Sequence, residues 1–430
     1  MNNESNLLAA AHAAWCARSA VLAKRARLKR YTYGDQWGDY VTDSLGRVMR
    51  EGDVVAATGR QPLANNLIRR LVKTIVGRYR NIAGDSGRYS DRPGSPDVLN
   101  ALPELDARLL EEFLISGMAI QRVSRERRHG GPERVWVDNV NPRMFFSNAF
   151  ADPRGTDLQM VGMLHNMSIY DVLARFGRGD RRRMAQLRNI FAADTTATRF
   201  PAFSGDADFF TAPDGQCRLV ELWTLDAFES SSRQGGATVN FRWRCRWLAP
   251  GGECLDSYFS PWRHGSHPFV LKYYPLTDGE VHPFVEDVVD QQRYINRLIV
   301  LIDHMMGASA KGVLLFPLDQ LPKGLTMQQV TDRWSAADGV IPITGKGMTM
   351  PQQVVAGAND AGAYRLLELE MKLFQDVSGV SDAILGHVAT GNGGSALYES
   401  QVQNATIALR DIFDTFASLT AARDEKIKTL

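Results

Sequence analysis

The chain has 430 residues, a formal net charge of +2, 44% hydrophobic residues and 23% charged residues. This is an ordinary globular composition with room for two or three domains, and it excludes binding to nucleic acid through overall positive charge. The four cysteines (Cys16, Cys217, Cys245, Cys254) form no C-x-x-C pair, which fits reduced thiols better than zinc spacing.

Residues 5–30 read as one helix that turns basic at its end (Lys24, Arg25, Arg27, Lys29, Arg30). A basic cluster after the apolar part is the wrong order for a secretory signal. A turn-rich aromatic stretch follows, with Tyr31, Tyr33, Gly34, Trp37 and Tyr40. Residues 62–81 place apolar side chains at 63, 67, 68, 71, 72, 75 and 76, a helical period, with Pro62 suited to the first turn. Residues 84–99 are loop-like and 103–119 read as a helix. Strands are expected at 118–124, 134–139 and 158–165, and helices at 168–176 and 181–192. After an irregular stretch at 196–215, strands are expected at 217–226, 238–248 and 268–274, with Gly-Gly turns at 235–236 and 251–252. The first 280 residues are therefore an α+β body.

The character then changes. A polar turn (Thr277, Asp278, Gly279, Glu280) leads past Pro283 into a long amphipathic helix. Its first turn is acidic, and Gln291, Gln292, Arg293 and Asn296 lie among apolar residues. Apolar positions at 288, 295, 298, 299, 302, 305 and 306 predict a helix over 284–306, roughly 34 Å long, ended by Gly307. The longest apolar run, near 298–302, is cut by Arg297 and Asp303, far short of the about 18 residues of a membrane span. Residues 310–350 are punctuated by Pro and Gly and partly β-like. A second helix spans 360–378 with Gly379 as C-cap. A glycine-rich loop occupies 386–395, and a last long helix runs over 396–428.

This order, α+β body, helix, small β-rich insert, returning helix, glycine-rich loop and long helix, resembles the portal proteins of tailed bacteriophages, the head-to-tail connectors, in a podovirus-like form. In that family the parts are wing, stem, clip, returning stem, tunnel loop and backbone helix. Tyr33-Gly34-Asp35-Gln36-Trp37 resembles the family's early GxQW-like signature, and Asn65 to Asn81 the helix after it. Asp278-Gly279-Glu280 through Arg297 resembles the stem entrance, and Ala310-Lys311-Gly312 the step into the clip. Ser378-Gly379-Val380 with Gly386, then Ser395 to Phe413, resembles the tunnel-loop region and the following helix.

The resemblance implies a wing at 1–280, a stem helix at 281–309, a clip at 310–357, a returning stem helix at 358–380, a tunnel-loop region at 381–398 and a backbone helix at 399–430. The family usually continues into a crown, so a chain stopping at Leu430 in a helical pattern is expected to be a short version or a truncated one. The implied function is a ring, typically of twelve subunits, at the unique capsid vertex, a conduit for packaging and ejecting double-stranded DNA. Implied partners are the large terminase, a head-tail adaptor and the major capsid or scaffold protein. No cofactor, catalysis or membrane is implied, and the place is the virion, with the host cytoplasm during assembly.

A conduit must not grip DNA, because each neutralised phosphate adds salt-dependent affinity. The proposed tunnel loop, with His387, Thr390, Asn392 and Ser395, has no Lys or Arg between Gly386 and Ser395. A plain surface linker is the other reading. Lys323, Arg333, Trp334 and Lys346 are clip candidates for motor docking, or for contact between subunits. Gln291, Arg293, Asn296 and Arg297 are the stem candidates. The basic clusters (Lys24–Arg30, Arg125–Arg128, Arg181–Arg183) suit DNA or capsid contact, or a solvated face. The aromatics of 31–40 suit base stacking, or a small core. Gly345-Lys346-Gly347 lacks phosphate-loop spacing. His264 and His267 near Cys254 suit a metal, or only a loop. A nucleic-acid-processing enzyme is the competing function; it would need clustered carboxylates, and Asp287, Asp290 and Asp303 do not share one helix face. Another head-tail adaptor is the third, disfavoured by length.

Overall fold

The structure, a computed structural model, describes residues 3–43, 45–128, 131–192, 208–213, 215–231, 237–309, 313–315, 321, 324–335, 352–354, 360–380, 407 and 409–430. In chain order, helices α1 (Asn3–Ala17) and α2 (Ser19–Tyr33) precede β1 (Tyr40–Thr42), β2 (Val48–Arg50) and α3 (Glu51–Ala57). Then come α4 (Leu67–Asp85), α5 (Pro96–Leu99), α6 (Leu102–Ser116), β3 (Met118–Arg127), β4 (Glu133–Asn139), β5 (Phe145–Ser147) and β6 (Met160–Met167). Helices α7 (Ile169–Phe176) and α8 (Arg181–Ile190) lead to β7 (Cys217–Ser231), β8 (Ala237–Leu248), β9 (Cys254–Phe259) and β10 (Phe269–Tyr273). The rest is β11 (Leu276–Thr277), β12 (Glu280–Val281), α9 (Glu286–Ser309), β13 (Val313–Leu315), α10 (Met327–Ser335), β14 (Gln352–Val354), α11 (Asp360–Ser378) and α12 (Arg410–Thr429). This is the mixed α+β class expected from the sequence.

The chain forms two compact units, one of Met1–Tyr33, Ile68–Asp287 and Ser378–Leu430, the other of Gly34–Leu67 and Val288–Val377. The first holds two larger antiparallel sheets, of order β10-β3-β4 and β5-β6-β7-β8-β9, and the short pair β11-β12. Side chains alternate across a strand. Trp223, Cys245 and Trp247 therefore enter one core cluster with Phe176 and Leu187 of α7 and α8, while Leu222 and Leu248 enter another with Leu8 and Ala11 of α1. Strand β3 is buried over its first seven residues, the pattern of a strand covered on both faces.

Two buried charge networks brace this body. Glu221, fully buried, accepts from Arg122 Nε at 3.0 Å, His165 Nε2 at 2.7 Å and Trp223 Nε1 at 2.9 Å. Burial pushes its carboxyl up, but the Arg122 guanidinium and His165 more than reverse this, leaving it below the usual carboxylate range. Arg423 of α12, 1% exposed, reaches Asp106 of α6 at 2.5 Å, and Asp106 also accepts from Tyr89 Oη at 2.9 Å and Gln121 Nε2 at 3.2 Å. Between α6 and β3 the chain turns on Gly117 at φ +68°, where a Cβ would sit 2.4 Å from Val281 Cγ1 and 2.6 Å from the Tyr274 carbonyl oxygen.

Several local expectations need correction. The helix expected over 5–30 is two, broken at Arg18, whose guanidinium donates to the Pro142 carbonyl at 3.1 Å and lies 5.3 Å from the Phe145 ring. The helix expected from Pro62 starts at Leu67. Helix α9 runs through Gly307 to Ser309, since one interior glycine costs a helix only about 1 kcal/mol. Strands β5 and β9 and helix α10 were not expected, and β7 and β8 are longer than expected. The aromatics of 31–40 divide, with Tyr31 buried and Tyr40 71% exposed. The loop at 386–395 and residues 396–406 lie outside the described residues.

Candidate functional site: the polar seat of the long helix

Within the second unit, α9 buries one face: Val288, Val289, Ile295, Leu298, Val300 and Ile302 are each at most 8% exposed. Two amides share that buried surface, Gln292 at 0% and Asn296 at 1%. Four residues apart, they stack one turn above another. Polar groups this deep must be satisfied by partners, and the segment 34–67 supplies them. Gln292 Nε2 donates to the Asn65 carbonyl at 2.8 Å and to Asn296 Oδ1 at 3.0 Å, and its Oε1 accepts from the Leu67 N–H at 2.9 Å. Asn296 Nδ2 donates to Gln36 Oε1 at 2.7 Å, and Gln36 is itself 2% exposed. These bonds explain the late start of α4: the backbone groups of Asn65 and Leu67 are held by side chains of α9.

A charged rim flanks the amides. Glu51, 5% exposed, accepts from Arg293 Nη2 at 2.9 Å and Arg297 Nε at 2.8 Å. The strand-to-helix turn that presents Glu51 is closed by Trp37, whose carbonyl accepts from the Gly52 N–H at 3.0 Å and whose Nε1 donates to the Leu63 carbonyl at 3.0 Å. Gln36 and Trp37, from the early aromatic segment, thus form part of the seat of the long helix.

Three of the four stem candidates, Arg293, Asn296 and Arg297, come together here; Gln291 lies outside the network, its Oε1 buried without a partner among the described residues. Sequence reading missed the roles of Glu51 and Asn65 and the central position of Gln292. The available signal was an amide pair four residues apart on an otherwise apolar stripe. Among the clip candidates, Arg333 is exposed on α10 and Trp334 lies on the same helix; Lys323 and Lys346 lie outside the described residues. So do His387, Thr390, Asn392 and Ser395.

Helix α11 differs from α9. Leu369, Leu373 and Val377, on one stripe, are 51%, 39% and 46% exposed. The antiparallel pair β13–β14 brackets residues 316–351, and Tyr364 Oη donates to Met306 Sδ at 3.1 Å. Two of the basic clusters are largely paired internally. Arg25 is held by Glu112 at 2.6 and 2.7 Å, Lys24 by Glu286 at 2.9 Å, and Arg128 by Glu126 at 2.7 Å. His267 is buried edge-on to Trp243, and among the described residues no group of three or more His, Cys, Asp or Glu could hold a metal. No helix among the described residues is long and apolar enough to cross a membrane.

The profile of the phage P22-like portal protein family matches residues 105–422. That is most of the chain, which therefore belongs to this family, a structural one. No curated protein matches it.

Proposed function

We propose that the chain is the portal subunit of a phage, assembling into a ring at the unique capsid vertex that conducts DNA during packaging and ejection and docks the large terminase and a head-tail adaptor. The family match over 105–422 carries this reading. The exposed stripe Leu369, Leu373, Val377 supports it, because a solvent-facing apolar row along a helix is a face that a neighbouring copy would cover. In this reading residues 1–280 act as wing, 281–309 and 358–380 as stem, 310–357 as clip, 381–398 as tunnel-loop region and 399–430 as backbone helix, in a ring of about twelve copies, the family's usual number. The ring has no enzymatic role of its own.

The stem candidates act by position. With Arg293 and Arg297 held on Glu51 and Asn296 inside the amide network, the group sets the register of α9 and leaves little cation to grip phosphate, as a sliding conduit requires. His387, Thr390, Asn392 and Ser395 line the channel, and Lys323, Arg333, Trp334 and Lys346 meet the motor. Negative-stain images and native mass of the purified chain test the proposal. Closed rings with a central hole are expected; a monomer at every salt concentration overturns it.

A further inference from the structure

The outer part of the β7–β8 hairpin outruns its own sheet. Strand β6 pairs with β7 only as far as Thr224, and β9 with β8 only from Arg244 onward. From Leu225 to Ser231 and from Ala237 to Trp243 the two strands pair with each other alone among the described strands. Direct cross-strand partners share a face, so the register sorts this ribbon into two faces.

One face carries Leu225, Ala227, Glu229, Val239, Phe241 and Trp243. It continues the rows of Trp223, Cys245 and Trp247, which are at most 1% exposed in the core. The alternation that builds the core thus persists beyond the core's edge, and there Phe241 is 61% and Val239 57% exposed. Glu229 is exposed beside them, directly across from Val239. The opposite face carries Asp226, Phe228, Arg242 and Arg244, joined by Phe259 of β9, the direct partner of Arg244; Asp226 is taken up by Arg246 at 2.7 Å and lies 4.0 Å from Arg244, so the face keeps an excess of guanidiniums. Phe228 and Phe259 are 40% and 41% exposed, and the guanidiniums of Arg242 and Arg244 lie 4.7 and 5.4 Å from the Phe259 ring.

We propose that this ribbon is a two-faced contact between neighbouring copies of the chain: the Phe241, Val239 and Glu229 face of one copy seats on the Phe228, Phe259, Arg242 and Arg244 face of the next. The faces complement each other rather than themselves, apolar side chains with a carboxylate against aromatic rings with guanidiniums. Complementarity between opposite faces of one element is a head-to-tail contact, the kind that closes into a ring. A different partner would match one face and leave the other bare. The inference rests on the ring reading and assigns one of the ring's contacts.

Charge exchange on the full chain tests it. Glu229 and Arg242 lie on opposite faces, so they cannot meet within one ribbon. Glu229→Arg and Arg242→Glu should each weaken ring assembly roughly tenfold in sedimentation velocity at fixed salt, and the double exchange should recover most of it. Val239→Ser with Phe241→Ser should lower the ring fraction similarly while leaving the melting temperature unchanged, since both side chains are already exposed. Wild-type rings that the single exchanges and the double serine variant leave intact overturn the ribbon contact and spare the ring reading. Single exchanges that weaken assembly without recovery in the double also overturn the pairing. A wild-type chain that never assembles overturns both.

Discussion

In the first unit, α12 is tied down by full charges: Arg423 and Asp106 face each other in the interior, 1% and 0% exposed. In the second, α9 is seated by the neutral amides Gln36, Gln292 and Asn296, and the charges of Glu51, Arg293 and Arg297 stand at its rim. Taking an ion pair out of water is costly and is repaid only when geometry and surrounding hydrogen bonds are complete. An amide network costs less to bury and is directional, so each bond constrains the register of the helix that carries it. The body therefore invests in an anchor whose loss is severe, whereas the long helix is indexed by several smaller contacts whose losses are graded.

The largest expected effect breaks the charged anchor. Arg423→Met leaves Asp106 buried with only Gln121 and Tyr89, and should cost about 3–5 kcal/mol in urea unfolding. A loss under about 1 kcal/mol would erase the contrast between the units. Next comes the amide seat. Asn296→Leu keeps the volume but removes the bonds of Asn296 to the Gln36 oxygen and from the Asn65 N–H, an expected cost of about 1–3 kcal/mol, read as loss of hydrogen-exchange protection in α9. Unchanged protection would mean that the apolar stripe alone holds the helix.

A third effect is a pH dependence confined to the first unit. Lys426 donates to the carbonyls of His267 (2.5 Å) and Phe269 (2.8 Å), and burial lowers its pKa to about 7. His264 is lowered to about 4, by burial first and the Lys426 charge second. Both bases hold fewer protons folded than unfolded, so stability rises with pH. The rise runs from about 4 to the ordinary 6.5 for His264 and from about 7 to the ordinary 10.5 for Lys426. Lys426→Met should flatten the upper rise in melting temperature; an unchanged slope would remove Lys426 as its source.

Long periodic elements were legible because their pattern is local: 360–378 reads as a helix and is one, 103–119 reads as a helix and is one as far as Ser116, and Gly379, at φ +66°, caps the former as expected. Elements fixed by distant partners were not. Helix α4 starts where Gln292 takes the Leu67 N–H, a contact spanning 225 residues that no window contains. Strand β9 and helix α10 are too short to show a period, and β7 and β8 run past the sheet that would justify their length. The seat was half legible. Arg293, Asn296 and Arg297 stand out as polar residues in an apolar helix, but nothing local points to Glu51 or Asn65 as their counterparts.

Gly117 has a consequence for where the long helix begins. Tyr274, Val281 and Pro283, from the segment just ahead of α9, crowd the point where any other residue would carry its first side-chain carbon, and the Val285 N–H docks on the Leu114 carbonyl at 3.1 Å. A single methyl at 117 would act as a wedge under the whole lead-in, prising it off the end of α6. The starting point of a helix 24 residues long is thus set by a hydrogen where every other amino acid has carbon.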